Sequence, residues 1–341
     1  MNGPSKMAKK KKLRKERHRS PKRYRPKSTQ KKLNLPSNTK ATNHLANKFK
    51  RLIAPENLTL RYGHVLEVLK FIAKVKKYGH RGHYLDLDLR NVQVIAEGAL
   101  AMLLSVIDDL SRHDILCKGQ KPTNIAAKDI LEASGFMDRM GGTIASKNQN
   151  SKNKILTTGT KDTHHQIIVP EVYKAMETVW GTKARCPCLY GGIGEMLRNS
   201  CDHAFSTEDK ITWHLGISHN EAENSVKFSF VDNGKGITET LSRNFIYRAA
   251  RRLFGNNAAL LKAAFEDGIE SQTGLSWRGK GLPTIFEMYT DKIITSLVVI
   301  TNNVYLDFDE GIIETIKVNF EGTYYFWKIN KTCEPNAHFP I

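Results

Sequence analysis

The sequence predicts an α/β fold, α+β in the broad sense, and two observations carry that reading. Between Arg61 and Gly135, helical and alternating apolar patterns take turns in the order helix, strand, helix, strand, helix. Between Leu189 and Trp327, a helix, a strand closed by a glycine turn, a glycine-led helix and a final strand follow one another.

Residues 1–45 have neither pattern and read as a disordered basic arm. Fifteen Lys and Arg against one acid, Glu16, fill the first 32 positions. Such a segment buries too little apolar surface to offset the entropy of ordering it. Periodic structure begins near Leu52. Val65, Leu66, Val68, Leu69, Ile72 and Ala73 recur at helical spacing and predict a helix over 61–78. Tyr84 to Leu89 alternates strictly and predicts a strand, which Asn91 to Ile95 extends or follows as a turn. Leu100, Leu103, Leu104, Ile107 and Leu110 share one face of a helix over 97–112, and a third helix starts near Ala126 and ends at Gly135. Residues 141–163, rich in Gly, Ser, Asn, Lys and Thr, read as a polar linker. Beyond it come a helix over 189–205, a strand from Val226 to Val231, and helices Arg243–Phe254 and Asn257–Phe265. A helix running to Tyr289 opens behind Gly279 and Gly281, and a last strand contains Gly322 to Trp327.

The 341 residues suffice for two ordinary cores. No run of about 18 apolar residues occurs, so no transmembrane helix is expected. The charged N-terminus lacks the apolar stretch of a secretory signal. Five cysteines, Cys117, Cys186, Cys188, Cys201 and Cys333, are an odd number in a long chain and argue for a reducing cytoplasm. Cys186-Pro-Cys188, with His164 and His165 upstream, lacks the four-ligand spacing of a zinc site. Most of the formal charge of +19 sits in the basic arm. Counterion release on the phosphate backbone of DNA or RNA is one reading of that arm. A solubilising or weakly membrane-attracted tail is the other.

Four motifs carry candidate chemistry. Glu195 and Asn199 share one helix face, where a carboxylate and an amide can orient water and hold a metal ion; the plain alternative is a solvated stripe. Asp232-Asn-Gly234-Lys-Gly236-Ile237 ends a strand, so the carboxylate can accept from an exocyclic amine while the glycines let backbone pass close to a ring. A simple hairpin turn is the alternative. Gly279-Lys280-Gly281-Leu282 precedes a helix and can offer backbone N–H groups to phosphates. Thr323 follows Gly322 on the final strand.

The order of these motifs resembles the N box, the two glycine boxes and the closing Thr of the GHKL superfamily of ATPases. The resemblance runs from Pro170 to Asn330. It implies a Bergerat two-layer sandwich of a mixed sheet and helices over 164–332, binding ATP and Mg²⁺. Carried over residue by residue, Glu195 is the general base on water and Asn199 the Mg²⁺ ligand. Asp232 reads the adenine amino group, with Thr323 as its partner through water. Gly234 and Gly236, with Ile237, lie along the base. Gly279, Lys280, Gly281 and Leu282 pack against the phosphates, and Asp202 matches an acid of gyrase-like members. Thr238 to Trp277 corresponds to an ATP lid, with Arg248, Arg251 and Arg252 facing the γ-phosphate, a partner or solvent.

Upstream, residues 46–140 resemble a STAS domain, on "LDLDLRNVQVIAEGALAMLLSVIDDL" followed by Pro122 and "ILEASGF". Where that family carries a phosphoacceptor Ser, this chain has Ala96-Glu97-Gly98-Ala99-Leu100, which has no hydroxyl. Residues 333–341 read as a tail. The resemblances together imply a cytoplasmic, nucleotide-dependent switch with slow ATP hydrolysis, acting on a protein or nucleic-acid partner. A serine/threonine protein kinase of the anti-sigma type and a non-hydrolysing nucleotide-sensing scaffold are the alternatives. A homodimer is compatible with each.

The arm makes a prediction about salt. Deleting residues 1–33 removes most of the positive charge and none of the pocket residues. Full-length protein should bind DNA or RNA with affinity falling steeply from about 50 to 200 mM salt, and the truncated form should not. Equal retention of both forms on a nucleic-acid column would remove nucleic acid from the partners.

Overall fold

The computed structural model describes residues 49–140, 153–158, 165–203, 212–242, 255–266 and 281–334, all within one compact unit. The basic arm, the expected helix Arg243–Phe254, and Gly279 and Lys280 lie outside the described residues.

The first half comprises β1 (Phe49–Ile53), β2 (Asn57–Leu58), α1 (Val65–His80), β3 (Tyr84–Asp88), β4 (Val94–Ile95), α2 (Glu97–Arg112), β5 (Cys117–Gln120), α3 (Ile125–Ala133) and α4 (Phe136–Arg139). Strands β1, β3 and β5 form a parallel three-stranded sheet in that order, and β2 pairs with β4. Asn124 caps α3 by accepting the Ala127 N–H at 3.0 Å, and Gly135, at φ +73°, turns the chain into α4.

The second half comprises β6 (Asn153–Thr158), α5 (His165–Trp180), α6 (Pro187–His203), β7 (Trp213–Asn220), β8 (Ser225–Asp232), α7 (Ile237–Ser242), α8 (Asn257–Phe265), α9 (Gly281–Thr290), β9 (Thr295–Asp307) and β10 (Ile312–Asn330). Its sheet has the order β6-β7-β8-β10-β9. Parallel and antiparallel sheets together bear out the α+β class. The expectation of a mixed sheet here is corrected, because every described pairing in this sheet is antiparallel.

Residues 153–158, read as linker, are strand β6. Their Lys, Asn and Thr content hides a strand at the sheet edge, where β7 alone among the described strands pairs with it. Lys154 turns inward and its ammonium lies 2.6 Å from Glu171 of α5, so the buried charge is neutralised in place. Helix α8 has the predicted bounds within the segment that corresponds to a lid, and its Leu260, Leu261 and Phe265 are buried in the cluster that also holds Ile285, Tyr325 and Trp327.

Helix α2 decides how the halves meet. Beyond the predicted leucine face, Ala99, Ala101, Met102 and Val106 are also buried. A helix apolar on nearly every side must be covered on nearly every side. It packs with α1 beneath the parallel sheet and against β7 and β8 of the antiparallel sheet. Val231, Ile300, Tyr305, Phe320 and Tyr324 share one core with Leu85, Leu87 and Leu104. Polar contacts fix the register of that junction. Ser218 Oγ donates to Glu97 Oε1 at 2.9 Å, and His214 Nε2 lies 3.0 Å from Asp108 Oδ2. No described helix is long and apolar enough to cross a membrane.

Gly98 sits where a Cβ would run into the buried Tyr324 hydroxyl. Gly98→Val should therefore wedge the layers apart and cost about 1–3 kcal/mol. In urea, fluorescence of Trp213 and Trp327 and far-UV dichroism should move together to a lower midpoint. Separate transitions for residues 49–140 and the remainder would contradict the shared core.

Candidate functional site

Strand alternation places the site. On β8, Val226, Phe228 and Phe230 enter the core beneath α5 and α6, so Asp232, two positions on, faces the same side. On β10, Tyr325, Trp327 and Ile329 enter that core, and Thr323 shares their face. The register pairs Thr323 directly with Asp232.

The Asp232 carboxylate is buried, with 3 % of the residue's surface exposed. Oδ1 accepts the Gly234 N–H at 2.9 Å, and Oδ2 lies 2.8 Å from Ser200 Oγ of α6. The Ser200 hydroxyl is also 3.1 Å from the Met196 carbonyl; having one proton, it donates to one acceptor at a time. Burial pushes the Asp232 carboxyl up to about 6, opposed by the hydrogen bonds from Gly234, Ser200 and Thr323. Thr323 contributes through both its backbone and its side chain, so four donors surround the two oxygens.

Glu195 and Asn199 stand on α6 one turn apart, and α9 begins against them. A Cβ on Gly281 would lie 3.2 Å from Glu195 Oε2 and 3.1 Å from Asn199 Oδ1. The approach is set lower down, where Gly192 leaves the space that Met288 of α9 occupies. The Glu195 carboxylate, a quarter exposed, is paired with Arg198. The Asn199 amide nitrogen is buried and forms no hydrogen bond of ordinary geometry among the described residues. The Asn199 side chain opposes the upward push that burial gives the Tyr325 hydroxyl. Leu282 is buried in the α9 core. Asp202 lies within α6, outside the residues whose side chains are described.

The loop after Asp232 is pinned by residues that no motif marked. Thr301 Oγ1 accepts the Ile237 N–H at 2.8 Å and donates to the Gly322 carbonyl at 3.0 Å. Asn302 Oδ1 accepts from Thr238 Oγ1 at 2.7 Å, while Asn302 Nδ2 donates to the Lys235 carbonyl at 2.8 Å. Asn302 does this from φ +51°, a conformation Asn tolerates better than most residues. Gly236, at φ +81°, is required there, since a Cβ would strike the Asn302 amide. The available signal was Thr301-Asn302-Asn303 inside an apolar strand, where Asn is rare. Ser200 offered only its place beside Asn199.

The structure thus brings Glu195, Asn199 and Gly281 together on one side, and Asp232, Gly234 and Thr323 on the other, with Ser200 joining α6 to Asp232. No protein-family model matches the chain, and no curated protein matches it significantly.

Asp232 makes a prediction on stability. Its carboxyl is raised above the unfolded value of 3.8, so the folded state binds the proton more tightly. Its contribution is most favourable below that unfolded value and is lost as pH rises through about 6. Urea unfolding from pH 4 to pH 7 should show wild type losing about 1–3 kcal/mol relative to Asp232→Asn across that window. A constant difference between the two proteins would mean the carboxyl is not raised.

Proposed function

We propose that the chain binds ATP with Mg²⁺ in a Bergerat-type pocket and acts as a slow, nucleotide-dependent switch. The observation that supports this best is the buried Asp232 carboxylate, held by Ser200, Gly234 and Thr323 at the head of a glycine turn. A buried charge is costly unless it serves a partner, and perturbed carboxyls gather at functional sites. An adenine amino group is a donor of the required kind. Backbone freed by Gly234 and Gly236 lets the base approach.

The phosphate end falls to α6 and α9. Asn199 would hold Mg²⁺ through its amide oxygen, and the ion when bound supplies charge neutralisation at the phosphates. Gly281 leaves room against Glu195 and Asn199, and the N-terminus of α9 offers N–H groups to an anion. Glu195 takes the proton of an attacking water. Its pairing with Arg198 must loosen for that, which accords with slow turnover. The STAS-like resemblance of residues 46–140 suggests a built-in companion layer. Because that layer shares its core with the sheet, the reader of the nucleotide state is a separate partner. An enclosed carboxylate alone could also belong to a sensor without turnover, so binding and hydrolysis are measured separately.

Asp232→Asn replaces the acceptor by a mismatched donor and should weaken ATP binding by about 1–3 kcal/mol. Glu195→Ala should bind ATP and lose turnover, while Asn199→Ala should lose Mg²⁺-dependent binding. Calorimetry and phosphate release on purified full-length protein check all three. Unchanged binding in Asp232→Asn sinks the pocket. Transfer of the γ-phosphoryl label to protein in place of phosphate release moves the activity to a kinase.

A further inference from the structure

A recess lies behind the Asp232 turn, on the opposite side of the sheet from α6. It occupies about 320 Å³ between α1, α2 and β10, at the lower end of the size range of small-ligand sites. Ile72, Val106 and Phe320 give it an apolar lining. Its polar lining carries both signs of charge, Lys76 and Lys77 with Asp109 and Glu321. Lys76 is paired with Glu321, whereas Lys77 forms no ion pair among the described residues. The Asp109 carboxylate lies 3.9 Å from His80 and 3.9 Å from Arg112. Ser105, Asn319 and Asn233 add uncharged polar groups; Asn233 lies between Asp232 and Gly234, and its buried carboxamide oxygen accepts no hydrogen bond among the described residues.

We propose that this recess is a binding site for a compact zwitterion with an apolar body, of the size and chemistry of an apolar amino acid, and that its occupancy regulates the Asp232 turn. The apolar body fills the space over Ile72, Val106 and Phe320. The carboxylate faces the unpaired Lys77, and the ammonium faces Asp109. A single charge of either sign would leave one half of this polar lining unanswered, which is the reason for a zwitterion. The turn enters through Asn233. An unsatisfied buried acceptor is unfavourable, so the Asn233 side chain gains by rotating toward a donor in the recess. That rotation acts on the residue bonded to Asp232 on one side and Gly234 on the other. The regulatory half of the proposal rests on the nucleotide reading of Asp232; the binding half does not.

Binding is measured by calorimetry on the full chain without nucleotide, using L-leucine and L-phenylalanine as probes. Isopentylamine and 4-methylpentanoate, each lacking one charge of leucine, are the comparisons. At least one amino acid should bind saturably and more tightly than either single-charge analogue. Ala73→Leu, which narrows the recess from a half-buried position, should reduce that affinity about tenfold or more. Lys77→Ala, at an exposed position, should weaken it without disturbing the fold. Failure of wild type to bind either amino acid overturns the site, as does affinity unmoved by both substitutions. ATP affinity is then compared with and without the bound amino acid. A shift supports the regulatory link, and its absence overturns that link while leaving the site. If ATP binds in neither case, the nucleotide reading and the link fall together, and the calorimetry still decides the recess.

Discussion

Alternation along β8 and β10 sends successive side chains into two different cores, and most of the structure follows from satisfying both. Val231 and Tyr324 go to the core shared with α1 and α2. Phe230 and Tyr325 go to the core beneath α5, α6, α8 and α9. Asp232 and Thr323 stand at the end of that second series, so the carboxylate is buried because the strand is. A shift of one residue in the register would exchange the faces and move Asp232 under α2. The stacked pair Phe228 and Trp327, with ring centroids 5.2 Å apart, helps to hold the register that places the site.

Close approach is the second constraint. The site depends on backbone reaching positions that a side chain would forbid. Gly322, at φ +140°, lets β10 pass the Asp232 carbonyl, and Gly192 lets α9 settle on α6. These contacts lie outside the glycine-rich motifs, yet they set where the motif residues end up. Asn302 completes the arrangement from a strand with no motif. Its side chain ties Lys235 and Thr238 to β9 and so anchors the far end of the turn after Asp232. Rigid support of this kind matters for a buried carboxylate, whose donors must stay in place to offset desolvation.

The shared core also limits which parts can move. The stretch Ala96 to Leu100 is used up in packing: Gly98 meets Tyr324, Glu97 bonds to Ser218, and Ala99 and Leu100 are fully buried. A layer held in this way transmits strain rather than swinging freely. Helix α8 adds a second fixed point within the segment that joins the two glycine motifs. The recess behind Asn233 lies where these constraints meet, between the α1 and α2 layer and the sheet.

The sequence by itself determined the local elements with strong periodicity. Helix 97–112 and helix 257–265 have the predicted bounds. Order along the chain also made Glu195, Asn199, Asp232, Gly281 and Thr323 legible as a group. Three things were not legible. Strand β6 is polar by composition because it is an edge strand whose charge, Lys154, is answered by a distant Glu171. The second apolar face of α2 was visible in its alanines, Met102 and Val106, but nothing local said that a second sheet would cover it. The roles of Ser200, Thr301 and Asn302 arise only when α6, β8 and β9 come together, since a hydroxyl or an amide gains its meaning from a partner remote in sequence. Periodicity and caps are local energies that the chain carries with it; burial and hydrogen-bond partnership are properties of the packed whole, and only the tertiary structure could decide them.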